Sequence, residues 1–237
     1  MNHARAAGRS PARPAVTVLI VLMVLPLAVI GLQLHFDLAG RFGLFGYSLY
    51  KLCFLLPPLL YCHLRGIGVR VELLRFGDWR RRLPWALGLG GLAAVSFWGL
   101  FLLLGDRLLD KARIVEQLGA QFSVTAKTVV PIGLFTIVVN SLLEEFFYRG
   151  FGVGLLRRRS RLLAALLPAA VFTAHHLLFL RSWLDPLPLT IAAAGLLVFA
   201  LALAWLYEQA GSIVAPWVTH VIADLAMMSI AASMLLG

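Results

Sequence analysis

Three short segments of this chain carry acidic and imidazole side chains inside long apolar runs. They read N-S-L-L-E-E-F-F-Y-R-G at 140–150, V-F-T-A-H-H-L-L-F at 171–179 and W-V-T-H-V-I-A-D-L-A at 217–226. A charged side chain at the centre of a membrane helix costs about 3 kcal/mol on insertion scales, so each such residue needs a reason. Carboxylates and imidazoles are also the groups that general acid–base catalysis uses most.

The two glutamates of the first segment differ in the residues that lie one helical turn away from them. On a helix, Asn140, Glu144 and Tyr148 share one face, whereas Glu145 and Arg149 form an i, i+4 pair with the acid before the base. Glu145 therefore has a counter-ion within its helix and Glu144 has none. This makes Glu144 the candidate general base. The alternative is that both glutamates are solvated at the cytoplasmic interface.

The other two segments supply imidazoles. Phe172 and His176 share a helix face, and His175 is turned by about 100°, so at most one of the two histidines points into a given cavity. His220 and Asp224 are one turn apart, and a carboxylate there can hold one ring nitrogen and leave the other for substrate, water or metal. Each histidine can also be a purely structural, hydrogen-bonded residue.

The composition excludes an ordinary soluble domain. Of 237 residues, 61% are apolar and 14% are charged, and the mean hydropathy is +0.89, against about half and about a quarter in soluble domains. A span needs about 20 apolar residues. We predict one all-α integral-membrane domain over 1–237, with about seven transmembrane helices at 15–34, 42–62, 83–104, 128–148, 162–180, 187–207 and 213–235.

The basic residues predict the orientation. The formal net charge is +10, and the segments 1–14, 63–82 and 149–161 hold 14 basic residues against six on the opposite side. This bias predicts a cytoplasmic N-terminal tail at 1–14 and contact with anionic lipid headgroups, and it disfavours nucleic acid as a partner. The segment 105–127 is long enough to include a surface helix.

The span boundaries raise a question of depth. If a helix begins at 162 on the cytoplasmic face, His176 lies about 21 Å deep at 1.5 Å per residue, whereas a helix over 128–148 puts Glu144 near that face. For the two to meet, the glutamate helix must continue past Tyr148, or 155–163 must lie along the interface. A separation of more than about 10 Å would contradict a joint catalytic role.

The ordered set E-E-x-x-x-R, F-x-x-x-H and H-x-x-x-N/D resembles the CAAX protease and bacteriocin-processing (CPBP) family, also called type II CAAX or Abi proteins. The resemblance covers roughly residues 128–230, which we expect to form the catalytic core. It implies an intramembrane endopeptidase of the glutamic type, in which Glu144 and His176 activate water as general base and acid and His220 with Asp224 stabilises the oxyanion. The supporting residues are Glu145, Arg149, Phe172 and Asn140.

Asp224 departs from the asparagine that family members often have at this position. An ionised aspartate accepts hydrogen bonds and does not donate them. Asp224 is therefore either protonated or chiefly orients His220.

A metal-dependent mechanism is the alternative within the same family, which was long described as metalloproteases. Zinc would then be held by Glu144, His176, His220 and Asp224, with one position open for water. We favour the version without a metal cofactor, because the chain lacks the H-E-x-x-H pair that zinc peptidases commonly use.

Two other classes of protein remain open from the residues. Transporters and proton channels also place acids and histidines at mid-membrane, although they often show an internal repeat. A non-catalytic immunity or scaffold protein could keep the motifs without cleaving anything.

For a peptidase, the partner is a membrane protein or peptide: a prenylated C-a-a-X protein, a bacteriocin-like peptide or a C-terminal sorting tail. The composition favours the bacterial inner membrane.

Lys51 is the one unusual polar residue in the N-terminal half. It either snorkels to an interface or pairs with an acid such as Asp224, and we favour snorkelling.

Overall fold

The computed structural model describes residues 15–38, 41, 49–69 and 74–236. The basic tail at 1–14 and most of the first half of the predicted second span, at 42–48, lie outside these residues.

The described residues form eight helices, and the prediction of an all-α polytopic bundle is confirmed. In chain order these are α1 (Val16–His35), α2 (Leu52–Leu64), α3 (Trp79–Leu108), α4 (Lys111–Phe122), α5 (Val129–Leu156), α6 (Arg161–Leu180), α7 (Pro186–Ala210) and α8 (Val214–Leu236). Within this part of the chain the β-structure is a single bridge between Phe76 and Ser212. Six of the helices, all except α2 and α4, are long and apolar enough to cross a membrane. The protein is therefore an integral membrane protein.

The second predicted span differs from the structure. Helix α2 has 13 residues and follows a short 3₁₀ turn at Leu49–Lys51, so it is shorter than the full span predicted at 42–62. The predicted surface helix in 105–127 is present as α4. The Asp110 side chain caps α4 by accepting from the Arg113 N–H at 3.0 Å, which satisfies one of the free donors at the helix start.

Helix α5 continues past Tyr148 and ends at Leu156, which answers the question of depth. It is not a uniform α-helix: π-helical stretches at Phe135–Asn140 and Phe146–Val153 flank the α-helical turn Ser141–Glu145. π turns occur frequently at functional sites. All eight residues of the second stretch are buried, which shows that this part of α5 is the centre of the bundle.

An aromatic cluster holds α2 against α5. The rings of Phe54 and Phe147 stack at 4.6 Å between centroids, and Tyr61, further along α2, meets Phe151, further along α5, at 5.9 Å. The two helices therefore run in the same direction. The contact also places the start of α2 beside the middle of α5, where the acidic residues are.

Arginines are concentrated at one end of the bundle. The segment before α3 and the segment before α8 meet there, because Arg82 donates to the Gln209 side chain at 3.5 Å and Phe76 bridges to Ser212. Among the described residues, the arginines at this end include Arg75, Arg80, Arg81, Arg82, Arg157, Arg158, Arg159 and Arg161. Arg149, counted with this group from the sequence, instead lies buried inside α5.

The packing of α3 on α8 yields a test. A Cβ atom at Gly90 would lie 2.9 Å from two side-chain carbons of Ile222, whereas a Cβ at Gly88 on the same helix would meet nothing within 4 Å. We expect Gly90→Ala to lower the free energy of unfolding by about 1–3 kcal/mol through overpacking. Gly88→Ala should be neutral or slightly stabilising, because alanine favours helix. Thermal unfolding in detergent measures both, and equal shifts for the two variants would contradict the tight contact.

Candidate active site

Three helices bring the sequence-predicted site residues together at the middle of the bundle. Helix α5 carries the two glutamates, α6 the two histidines and α8 the last pair of polar residues. Glu144 is twelve residues before the end of α5, and His176 is fifteen residues after the start of α6. Both therefore lie well inside the bundle, and their side chains approach to 4.0 Å. The two residues therefore reach a common depth.

Glu144 is at the centre of this site and is 2% exposed. Its Oε1 accepts from Asn140 Nδ2 at 2.9 Å. Its Oε2 lies 4.0 Å from His176 Nε2 and 4.0 Å from His220 Nε2. Among the described residues this buried oxygen has no hydrogen-bond partner. One oxygen of the carboxylate is thus held by the protein, while the other faces both imidazoles across a gap.

The tautomer of His176 follows from its neighbour on α6. Its Nδ1 lies 2.9 Å from the carbonyl oxygen of Phe172, and because a carbonyl only accepts, Nδ1–H is the donor. In the neutral ring, Nε2 then carries the lone pair that faces Glu144. With 29% of its side chain exposed, His176 is more accessible than Glu144 or His220.

Glu145 holds the other imidazole from a different helix. Its Oε1 accepts from His220 Nδ1 at 2.8 Å and from Arg149 Nη1 at 3.0 Å, and all three residues are almost completely buried. The Arg149 guanidinium also lies 4.9 Å from the centre of the Phe172 ring. Glu145 therefore joins α5 to α8 and fixes the orientation of His220.

Asp224 does not orient His220 in the way that their i, i+4 spacing suggested. The Asp224 Oδ1 lies 3.6 Å from His220 Nε2, which is longer than a hydrogen bond. Its Oδ2 is buried with no hydrogen-bond partner among the residues that the structure describes. The carboxylate that holds the imidazole is Glu145. Asp224 instead lies beside the same gap that Glu144 faces.

His175 is held by two tyrosine hydroxyls. Its Nδ1 lies 3.2 Å from the Tyr148 hydroxyl and its Nε2 lies 3.3 Å from the Tyr50 hydroxyl. The sequence indicated that at most one of the two adjacent histidines would face a given cavity, and His176 is the one that faces Glu144. The tyrosine contacts of His175 fasten α6 to α5 and to the turn before α2.

The donor atoms at this site also fit a divalent metal. The described residues include one cluster with metal-binding geometry, formed by Glu144, His175 and His176, with ligand atoms within 4.8 Å of one another. Both nitrogens of His175 already face tyrosine hydroxyls. The Nδ1 of His176 is held by a carbonyl, which is a usual outer partner of a metal-binding histidine.

The expectation that Lys51 snorkels to an interface was wrong. Lys51 is 7% exposed, and its Nζ donates to the Tyr50 hydroxyl at 2.9 Å and to Asn140 Oδ1. Tyr50 is a further residue at the site that its sequence pattern did not indicate. Neither residue belongs to the three motifs, and the contact between Lys51 and Asn140 spans 89 positions. The only signal in the sequence was the cost of a lysine in an apolar segment.

The fold and site together define a polytopic membrane protein with an acid–imidazole site in the middle of its helices. Residues 126–226 match the model of a family described as type II CAAX prenyl endopeptidase Rce1-like. The match covers the segment that carries the site and supports the CAAX protease and bacteriocin-processing family, as the resemblance over 128–230 indicated. The family supports a CAAX-type intramembrane endopeptidase in general. Searches of curated proteins and of solved structures found no match.

The buried pair of Glu145 and Arg149 yields a second test. We expect Arg149→Met to lower the free energy of unfolding by about 3–5 kcal/mol, because it leaves a buried carboxylate without its counter-ion. Arg113→Met is the matched control, because it breaks the ion pair of Arg113 with Asp185. These two side chains are 33% and 63% exposed, so the loss in free energy of unfolding should be less than about 1 kcal/mol. Thermal unfolding in detergent compares them. A loss for Arg149→Met no larger than for the control would show that Glu145 does not need this partner.

Proposed function

We propose that this protein is a glutamate-dependent intramembrane endopeptidase that hydrolyses a peptide bond of a membrane-associated protein or peptide. The observation that carries the proposal is the pair formed by Glu144 Oε2 and His176 Nε2. They lie 4.0 Å apart, and the carboxylate oxygen has no partner among the described residues. The family match over 126–226 supports peptide-bond hydrolysis as the reaction.

The spacing of this pair suits one water molecule. If a water oxygen lies about 2.8 Å from each atom, the angle at that oxygen between Glu144 Oε2 and His176 Nε2 is about 90°. This is close to the angle between the two O–H bonds of water. Both Glu144 Oε2 and the His176 Nε2 lone pair accept hydrogen bonds, so the water donates to both. Its own lone pair is then directed toward the substrate. A positioned base of this kind activates water for attack on a carbonyl carbon.

The reaction then follows from the positions of these groups. The water oxygen bonds to the peptide carbonyl carbon, and its proton passes to the pair of Glu144 and His176. The carbonyl oxygen becomes an oxyanion. When the C–N bond breaks, the pair returns the proton to the leaving nitrogen, and both residues regain their starting state.

His220 and Asp224 are on the side where we propose that the oxyanion forms. A doubly protonated His220 donates from Nδ1 to Glu145 and from Nε2 to the oxyanion. A protonated Asp224 adds a second donor through Oδ2, which otherwise has no partner among the described residues. Donors aimed at a developing oxyanion are worth several kcal/mol in many hydrolases.

The proposed location is the bacterial inner membrane, with the arginine-rich end of the bundle on the cytoplasmic side. The rule that cytoplasmic ends are richer in lysine and arginine supports this orientation. At the opposite end, basic residues are interspersed with acids, as in the ion pairs of Lys111 with Asp106 and Arg113 with Asp185. Anionic lipid headgroups are the proposed contacts of the arginine-rich end.

Replacement of Glu144 tests the proposed activity. Membranes from cells that express wild type or Glu144→Ala are compared by mass spectrometry of protein termini. We expect new peptide ends with wild type and none with Glu144→Ala, because the variant lacks the base that activates water. Glu116→Ala removes an exposed glutamate on α4 and should behave as wild type.

Two outcomes would contradict the endopeptidase. Identical termini for wild type and a stably inserted Glu144→Ala would favour the immunity or scaffold protein. Ion or proton flux through proteoliposomes that depends on Glu144, without any cleavage, would favour the transporter.

A metal-dependent version of this endopeptidase would hold its ion with Glu144, His176, His220 and Asp224. The ion would supply Lewis-acid polarisation of water and of the peptide carbonyl. We propose instead that the residues act without a metal cofactor, so cleavage should persist after chelation and dialysis. Elemental analysis before and after chelation, in parallel with the cleavage assay, measures this. Stoichiometric zinc whose removal abolishes cleavage would establish the metal-dependent version.

A further inference from the structure

Lys51 is a buried lysine from the N-terminal half of the chain that reaches the site from outside the three motifs. It ends the 3₁₀ turn Leu49–Lys51, directly before α2, and is 7% exposed. Lysine is almost never fully buried unless it is paired. Its Nζ donates to Asn140 Oδ1 on α5 and to the hydroxyl of Tyr50. It lies outside the segment 126–226 that matches the family.

The lysine fixes which way the Asn140 amide points. An ammonium group only donates, so the atom of Asn140 that meets it is the carbonyl oxygen. The amide NH₂ therefore faces the opposite way, where it donates to Glu144 Oε1 at 2.9 Å. A carboxylate only accepts, so the two ends of the amide are matched to their two neighbours. Lys51, Asn140 and Glu144 form a continuous chain of hydrogen bonds with a single direction.

This chain of hydrogen bonds determines which carboxylate oxygen is available. With Oε1 held by Asn140, Glu144 directs Oε2 at His176 and His220, each 4.0 Å away. Without Lys51, the Asn140 amide can turn over and present its oxygen to the Glu144 carboxylate. Two acceptor oxygens repel each other, so this arrangement makes no hydrogen bond. Glu144 would then lose the bond that holds its orientation.

The turn that carries Lys51 is itself tied to the site. The Tyr50 hydroxyl, which accepts from Lys51, also lies 3.3 Å from His175 Nε2, and the Tyr148 hydroxyl lies 3.2 Å from the other nitrogen of that ring. The Tyr50 ring packs against the Phe54 ring at 5.6 Å. The position of Lys51 is therefore fixed by contacts with both α5 and α6.

We propose that Lys51 is a positioning residue of the active site, which acts through Asn140 to orient the carboxylate of Glu144. The N-terminal half of the chain thereby supplies part of the catalytic arrangement. This inference rests on the proposed endopeptidase. It requires that Lys51 and Asn140 affect the rate of the chemical step, since neither is placed to touch substrate.

The test compares single and double variants in the cleavage assay, with a synthetic copy of the segment that wild type cleaves as the substrate. We expect Lys51→Met and Asn140→Leu each to lower kcat about 100-fold with little change in KM, as when a reacting group is misplaced by about 1 Å. The double variant should lose little more than either single one, because both break the same chain of hydrogen bonds. Lys51→Arg, which keeps a buried donor, should recover part of kcat.

Controls separate this inference from the proposed function and from simple misfolding. Lys127→Met removes an exposed lysine and should match wild type, and Glu144→Ala should be inactive. If wild type cleaves nothing, the endopeptidase itself is wrong. If wild type cleaves and Lys51→Met keeps kcat within about twofold, or the two losses multiply in the double variant, the positioning role alone is overturned.

Thermal unfolding in detergent reports whether each variant is folded. Should Lys51→Met fail to insert or fold, Asn140→Leu decides by itself, because the inference requires Asn140. A folded Asn140→Leu with wild-type kcat overturns it, and one with kcat about 100-fold lower and unchanged KM supports it.

Discussion

Two adjacent glutamates are buried in the middle of an apolar helical bundle, and the rest of the site depends on how each is paired. Glu145 accepts from Arg149 on its own helix and from His220 on α8, so its charge is balanced within a closed group of buried side chains. Glu144 has one oxygen held by Asn140 and the other facing two imidazoles without direct contact. The structure thus separates a structural carboxylate from an available one.

Glu145 also positions an imidazole that faces Glu144. Because Glu145 holds His220 by Nδ1, the Nε2 of that ring faces Glu144. The Phe172 carbonyl does the same for His176 from within α6. Both imidazoles are therefore held at the nitrogen remote from Glu144. Groups fixed in this way need little reorganisation during a reaction, which is the physical basis of catalysis by preorganised sites.

The helices explain why the site can exist at this depth. Helix α5 continues to Leu156, and its π-helical stretches flank the turn that carries both glutamates. Helix α2 is short, so it begins beside the middle of α5 and delivers Lys51 at the level of Asn140. In a full-length second span, Lys51 would have been part of a regular helix. Because α2 is short, Lys51 from the N-terminal half of the chain can contact Asn140 at the site.

The sequence by itself determined the fold class, the family resemblance and most of the acidic and imidazole residues that meet at the site. Apolar runs of spanning length predict helices because a membrane leaves no other way to satisfy the backbone, and the cost of buried charge singled out Glu144, His176, His220 and Asp224. The i, i+4 spacing also predicted the pair of Glu145 and Arg149, because one helix turn brings these residues together.

Only the tertiary structure decided the contacts between helices. Spacing within α8 suggested that Asp224 holds His220, but Glu145 on α5 does so, since the direction of a side chain across an interface depends on helix rotation and depth. Lys51 and Asn140 are 89 positions apart, and no local pattern encodes their contact. Helix α5 also ends at Leu156, eight residues beyond the predicted span, and all of Phe146–Val153 is buried by the tertiary structure.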